Sequence, residues 1–254
     1  TVRRIILLFM KNTAIIIPSR LAAKRFPNKP LVKINNIPIV VHVLNRAKES
    51  GVGKVFVATP DDEIYRIVND NGGTAILTKS DHRSGSDRIY EVYFKELKDN
   101  VDIIINLQGD MPNIKPSSIL KLEKLMRNNN CDIGTLASNI KDKEEITNPN
   151  IVKVSIEKNL KNDDFLDAKD FFRIKKDIGD EKIYHHLGIY AFTNIALTKY
   201  VKLSRSKLEI ERNLEQMRAM ENKLSIKVGF SDFTPLGVDT EEDLIKIKEE
   251  MIKL

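Results

Sequence analysis

The chain has 254 residues, 41% hydrophobic and 31% charged, a composition that supports a sizeable buried core and excludes a disordered polypeptide. Its single cysteine, Cys131, excludes an intrachain disulfide and a cysteine-cluster zinc site, and no apolar run approaches the roughly 20 residues of a membrane span, so a reducing, cytoplasmic setting without a membrane is expected. The net charge of +6 comes without aromatic interleaving or zinc-finger spacing, so it reads as a solvated surface of mixed sign and no nucleic-acid partner is expected.

Residues 1–9, TVRRIILLF, place two arginines before an apolar run but lead into a strand rather than a small-residue cleavage site. They are expected to be a leader or non-native extension, with Met10 as the natural start and 10–254 as a single domain. TAIIIP (13–18) reads as a buried strand. The stretch 37–51 reads as a helix with Pro38 in its first turn and Gly51 past its end. A strand at 54–60, a helix at 61–73 with an acidic start and glycine end, and a strand at 74–78 follow. The stretch 86–98 places Ile89, Val92, Tyr93 and Leu97 on one helical face. Then come a strand at 102–107, a helix at 116–128 and a strand at 132–138. Between 139 and 184 the pattern loosens into charged runs, expected to be an insertion or dimerisation subdomain. Regularity returns with a strand at 184–192, a helix at 207–222, a strand at 225–230 and a helix at 240–253, where Thr240 and Asp243 make a capping-box-like start.

Strands alternating with helices at this spacing predict an α/β fold with a mostly parallel sheet. Ligands of such sheets bind outside the carboxyl ends of the strands. The polar loops 18–30, 79–87 and 107–113 all follow strands and are expected to converge there.

The first of these loops, PSRLAAKRFPNKPL, carries Arg20, Lys24, Arg25 and Lys29 within ten residues. Guanidinium forks and ammonium groups in that density suit a polyphosphate. The absence of G-x-G-x-x-G and of G-x-x-x-x-G-K-[ST] argues against a dinucleotide-binding Rossmann site and a P-loop. Asp110 in LQGDMP ends a buried strand beside Gly109 and Pro112. Asp239 in PLGVDTEEDL precedes the last helix. Mg²⁺ takes one or two carboxylates plus substrate phosphates, which Asp110 and Asp239 can supply, although an acid in Asp239's position reads equally as a helix cap. SDHRSGSDR (80–88) reads either as a flexible loop that brings backbone amides to a ligand or as a serine-capped helix start. His186 and Tyr190 share one face of a strand, as a structural pair or as part of a site.

Taken together, these blocks resemble the 3-deoxy-D-manno-octulosonate cytidylyltransferase (CMP-KDO synthetase) family from about Lys11 to the C-terminus. IIIPSRLAAKRFPNKPL resembles its nucleotide-triphosphate loop, DHRSGSDR its cytidine segment, NLQGDMP its metal-bearing strand end and HHLGIY its sugar strand. LEQMR and GVDTEEDL resemble its last two blocks. The resemblance implies a Rossmann-like sheet of the nucleotide-diphospho-sugar transferase (GT-A-like) type with a smaller inserted subdomain. It implies a Mg²⁺-dependent homodimer that joins CTP to an acidic 3-deoxy sugar, releases pyrophosphate and activates the sugar for lipopolysaccharide biosynthesis. It implies nucleotide contacts from Pro18, Arg20, Arg25, Lys29, Ser84, Gly85, Arg88 and Gln108, and sugar contacts from Gln108, His186, Tyr190, Glu215 and Gln216. It implies metal ligation by Asp110 and Asp239, with Arg20, Lys29 and Asp110 catalytic.

Three departures stand out. Ala23 replaces the family's serine, Met111 replaces its glutamate, and DFLDAKDFF lacks its aromatic-serine-arginine stretch. Arg173 or Lys169 is expected to compensate opposite the sugar carboxylate. A sialic-acid or 8-amino sugar as substrate, or a non-catalytic nucleotide-binding homologue, are the competing expectations.

Overall fold

The computed structural model describes residues 12–22, 26–98, 100–175 and 179–252. The expected start at Met10, the leader and Arg25 lie outside them. In chain order the elements are β1 (Thr13–Pro18), a 3₁₀ turn (Lys29–Leu31), β2 (Lys33–Ile34), β3 (Ile37–Pro38), α1 (Ile39–Glu49), β4 (Lys54–Thr59) and α2 (Asp62–Asp70). Then come β5 (Ala75–Leu77), α3 (Gly85–Val92), a π turn (Tyr93–Leu97), β6 (Ile103–Leu107), α4 (Pro116–Asn128), β7 (Ile133–Ser138) and α5 (Lys143–Thr147). They are followed by β8 (Lys153–Ile156), β9 (Phe165–Asp167), β10 (Asp170–Phe172), β11 (Lys182–Thr193), α6 (Asn194–Tyr200), α7 (Lys207–Arg212), α8 (Met217–Glu221), β12 (Ile226–Phe230) and α9 (Glu241–Ile252).

The main sheet runs β5-β4-β1-β6-β11-β7-β12-β9. β5, β4, β1 and β6 are mutually parallel, β12 is parallel to β7, and β11 is antiparallel to both β6 and β7. The chain leaves β1 for β4 on one side and returns through β6 on the other, which opens a crevice at the carboxyl ends of β1 and β6. Apolar side chains cover both faces of the sheet, Ile15, Ile17 and Ile105 on one and Ile16, Ile104 and Phe192 on the other. A third, smaller cluster of Ile34, Ile39, Val238 and Ile247 docks α9 beside the β2–β3 hairpin. The charged stretch 139–184 puts β9 against β12 and β8 against β11, with β10 beyond β8, so these strands are hydrogen-bonded into the main sheet.

The helix expected over 207–222 is two short helices. Ser206 and Glu209 form a capping box at the start of α7, and Asn213 ends it in the left-handed region at φ 52°. The break places Leu214, Glu215 and Gln216 in a connecting turn. The helix expected over 86–98 is α-helical only to Val92 and then widens into the π turn.

Candidate active site

The crevice between β1 and β6 holds a cavity of about 230 Å³. Its walls come from Pro18–Arg20, Lys29 and Pro30, His82–Gly85 with Arg88, and Gln108–Asp110. The three loops expected to converge do meet here.

Gly109 makes the turn after β6 possible. A Cβ there would stand 3.1 Å from the Pro18 carbonyl oxygen and 3.4 Å from Ile17 Cγ2. The absence of a side chain lets the turn lie on the end of β1 and present Asp110. Met111 turns inward, is 5% exposed, and joins the core cluster that contains Ile17, Val41 and Leu107. Position 111 is a core position in this chain, which accounts for an apolar residue where the family pattern has an acid.

Asp110 and Asp239 converge on one ammonium. Lys29 Nζ donates to Asp110 Oδ2 at 2.9 Å and to Asp239 Oδ1 at 3.0 Å. Burial disfavours the charge of Lys29, but Asp110 and then Asp239 outweigh it and raise its pKa above the ordinary lysine value. Asp239 is not the cap of α9. Asp243 Oδ2 accepts the Thr240 amide at 3.0 Å and Thr240 Oγ1 accepts the Asp243 amide at 3.2 Å, so the helix start is satisfied without Asp239. The Val238 amide donates to the Asp110 carbonyl at 2.9 Å and fixes the two loops together. Among the described residues no third His, Cys, Asp or Glu joins the pair as a metal cluster. Two carboxylates meeting at a single cation position, with the remaining coordination left to phosphate oxygens and water, fit Mg²⁺.

The basic wall is held by hydrogen bonds behind it. Arg88 is 3% exposed, and its Nη1 donates to Thr78 Oγ1 at 2.5 Å and to the Lys79 carbonyl at 2.9 Å. Burial and the neighbouring Arg20 push the Arg88 guanidinium below its ordinary value. Two arginine charges that repel each other in the lining of one cavity suit an anion there. Ser84 is both a helix cap and a wall residue: its Oγ accepts the Asp87 amide at 3.2 Å while the residue lines the cavity. The serine-capped helix start is therefore the reading of the SDHRSGSDR segment that the structure bears out, and the cap lies in the cavity wall. His82 is bonded through Nε2 to Glu91.

A second cavity of about 40 Å³ adjoins the first, and Gln108 lines both. Its walls include Asn106, Tyr190, Tyr200, Glu215 and Gln216. Gln108 Nε2 donates to Asn106 Oδ1 at 3.1 Å. Glu215 Oε1 is buried with no hydrogen-bond partner. Burial raises the Glu215 pKa, against the hydroxyls of Ser86 and Ser84 and the charge of Arg218. Loss of solvation also keeps the Tyr190 phenol neutral by raising its pKa. His186 lines neither cavity. It stands one layer behind, with Nε2 3.0 Å from Thr135 Oγ1, its ring 5.3 Å from that of Tyr190 and edge-on to Phe171 at 5.1 Å. Burial lowers its pKa to about 3, so the ring is neutral.

Of the residues singled out in the sequence, the structure brings together Pro18, Arg20, Lys29, Ser84, Gly85, Arg88, Gln108, Asp110 and Asp239 around the first cavity, and Tyr190, Glu215 and Gln216 around the second. Sequence reasoning missed Ser19, His82 and Arg83 in the first, and Asn106 and Tyr200 in the second. Ser19 and His82 were legible only as neighbours of marked residues. Asn106 carried a signal, a polar side chain inside the otherwise apolar strand IIINL. A wider groove of about 590 Å³ runs along α4, lined by Lys121, Asn128, Asn162 and Asp232, and holds none of these residues.

Basic groups to hold a polyphosphate, paired carboxylates to hold its cation and room beside them for an acceptor are what nucleotidyl transfer needs. Fold and site together define a nucleotidyltransferase. A cytidylyltransferase family model matches residues 14–226. The 3-deoxy-manno-octulosonate cytidylyltransferase of Rhodopseudomonas palustris (strain BisB18) is 45% identical over 234 residues, covering 92% of this chain and 95% of that protein. A solved structure of CMP:2-keto-3-deoxy-manno-octonic acid synthetase complexed with CTP superposes at a TM-score of 0.86 and 35% identity, covering 96% of this chain and 99% of that one. The fold extends to a 4-diphosphocytidyl-2C-methyl-D-erythritol synthase of Anaerococcus prevotii, with a TM-score of 0.64 at 15% identity, 95% of this chain and 99% of that one. The chain belongs to the 3-deoxy-manno-octulosonate cytidylyltransferase family.

Proposed function

We propose that this protein transfers the cytidylyl group of CTP to the anomeric hydroxyl of 3-deoxy-D-manno-octulosonate and releases pyrophosphate, so activating the sugar for lipopolysaccharide synthesis. The observation that carries this reading is Gln108 standing in the wall of both cavities, with Lys29, Asp110 and Asp239 beside it. CTP occupies the larger cavity and the sugar the smaller one.

The sugar hydroxyl oxygen attacks the α-phosphorus and loses its proton to water, and the bond from that phosphorus to the bridging oxygen of the leaving pyrophosphate breaks. Charge builds on the leaving group, where Arg20 and Lys29 neutralise it, joined by Arg25 on the resemblance alone. Asp110 and Asp239 would hold Mg²⁺, which would supply further neutralisation of phosphate charge. Ser84, Gly85 and Arg88 hold the nucleotide side, and Gln108 holds the two reactants at one distance. Tyr190, Gln216 and the unpartnered Glu215 Oε1 offer hydrogen bonds to sugar hydroxyls, and His186 fixes the Tyr190 ring. Lys169 is paired with Glu157 at 3.4 Å on the surface. Arg173 follows β10, whose Phe171 packs on His186, but it lines neither cavity. Its Nη1 is steadied by the carbonyls of Pro149 and Asn150 at 3.1 and 3.0 Å.

The protein is proposed to work in the cytoplasm as a homodimer. No helix among the described residues is long and apolar enough to cross a membrane. Burial pushes the Cys131 thiol up to about 11, which suits an unreactive core cysteine. Light scattering at twice the chain mass would support the dimer. Pyrophosphate release from CTP with octulosonate, its 8-amino form or sialic acid tests the substrate. Faster turnover of octulosonate is expected, and turnover of sialic acid alone would overturn the choice of sugar. CTP binding without turnover of any sugar would mark a non-catalytic homologue.

A further inference from the structure

Lys29 stands where a divalent cation is expected, which raises a question the transfer reaction does not answer. An ammonium at hydrogen-bond distance from Asp110 Oδ2 and Asp239 Oδ1 excludes Mg²⁺ from the same oxygens, because the ion approaches carboxylates to about 2.1 Å and keeps its own shell of water. We propose that Lys29 stands in for the divalent cation: it fills the cation position while the nucleotide site is empty, and gives it up when a triphosphate arrives with its cation. This rests on the proposed role of Asp110 and Asp239 in holding the metal.

Three features support the exchange. The carboxylate pair does not depend on the lysine for its place. The Val238 amide ties the Asp239 loop to the Asp110 carbonyl, and the Asp239 amide is itself held by Asp243 Oδ2 at 3.1 Å. The lysine backbone is also fixed, in a 3₁₀ turn that begins after Asn28 in the left-handed region at φ 56° and is closed by the Val32 amide on the Lys29 carbonyl. Only the four-carbon side chain has to move. Finally, the ammonium has somewhere to go, because Lys29 lines the same cavity as Arg20, Arg83 and Arg88. The phosphate chain that neutralises that wall offers the ammonium oxygen partners in exchange for the two carboxylates it releases. Metal uptake is thereby tied to nucleotide uptake, and the free enzyme does not gather divalent ions.

Mn²⁺ titration, followed by the loss of the free-ion electron paramagnetic resonance signal, tests this on the full chain. Without nucleotide the wild type is expected to bind Mn²⁺ weakly, and Lys29→Met at least about tenfold more tightly. Adding Asp110→Asn to Lys29→Met should remove the gain. Lys29→Met should also melt lower than the wild type in a chelator and recover on adding Mn²⁺. Equal Mn²⁺ affinity of Lys29→Met and wild type would overturn the proposal. A third arm, wild type with a non-reactive α,β-methylene analogue of CTP, read as Mn²⁺ uptake beyond that of the analogue alone and of the analogue with Asp110→Asn, separates the two ideas. Uptake of Mn²⁺ there without a gain in Lys29→Met would refute the lysine's role and leave the metal assignment standing. No uptake in any arm would refute both.

Discussion

Asp239 lies 210 residues from Lys29 in the chain, yet its Oδ1 is 3.0 Å from the lysine Nζ. The contact brings the start of the last helix to the loop after the first strand and completes the carboxylate pair with Asp110. Asp110→Asn and Asp239→Asn are each expected to lower kcat by about 10²–10³-fold, with far-UV circular dichroism unchanged. A loss of less than about tenfold in both would remove the pair from the chemistry.

Gln108 faces both cavities, whereas Gln216 faces only the smaller one. Gln108→Ala should therefore raise KM for CTP and for the sugar, and Gln216→Ala should raise KM for the sugar alone. Steady-state kinetics with each substrate varied in turn checks this. A Gln108→Ala enzyme with an unchanged KM for either substrate would contradict the shared wall.

Gly109→Ala would place a Cβ 3.1 Å from the Pro18 carbonyl oxygen, and the turn would have to give by a few tenths of an ångström. A stability cost of about 1–2 kcal/mol is expected. The displaced Asp110 should lower kcat by roughly tenfold. Urea unfolding and single-turnover rates measure the two effects separately.

Much of the fold was legible because the parallel strands are buried on both faces and read as unbroken apolar runs, as in TAIIIP and IIINL. The loops that follow them carry the site, so the convergence of Arg20, Ser84 and Asp110 could be foreseen from topology alone. The break at Asn213 could not, because ERNLEQMRAM keeps helical composition and only a left-handed residue at φ 52° interrupts it. The strands inside the charged stretch were hidden because each is only three or four residues long. Lys153 reads as a surface charge but is fully buried, with its Nζ on the carbonyls of Asn148 and Ile151, each at 2.9 Å. The split between cap and ligand at Asp239 needed coordinates, because Thr240 and Asp243 supply a complete cap whichever way Asp239 turns. His186 was marked for the sugar, and the structure stands it one layer back, packed against Tyr190.

Glu91 anchors the loop that carries His82 and Ser84. It accepts hydrogen bonds from His82 Nε2, from Lys95 Nζ at 2.5 Å and from the Lys79 amide at 3.0 Å. Burial opposes its charge, but the bonds from Lys95, His82 and Lys79 outweigh it and lower the Glu91 pKa from 4.5 to about 2. Because the folded value lies below the unfolded one, this stabilisation is complete above about pH 4.5 and is lost as the pH falls toward 2. Glu91→Gln should cost about 1–3 kcal/mol at neutral pH. The gap to wild type should narrow on acidification, as followed by denaturant titration at a series of pH values. A gap that widens on acidification would contradict the assignment.

Phosphorus-31 NMR of the protein with CTP, Mg²⁺ and 3-deoxy-D-manno-octulosonate follows cytidylyl transfer itself. A new phosphodiester resonance and pyrophosphate should appear in equal amounts, dependent on the sugar and slowed about 10²–10³-fold with Asp110→Asn. Formation of CDP and inorganic phosphate, or CTP left intact in the presence of the sugar, would contradict that transfer.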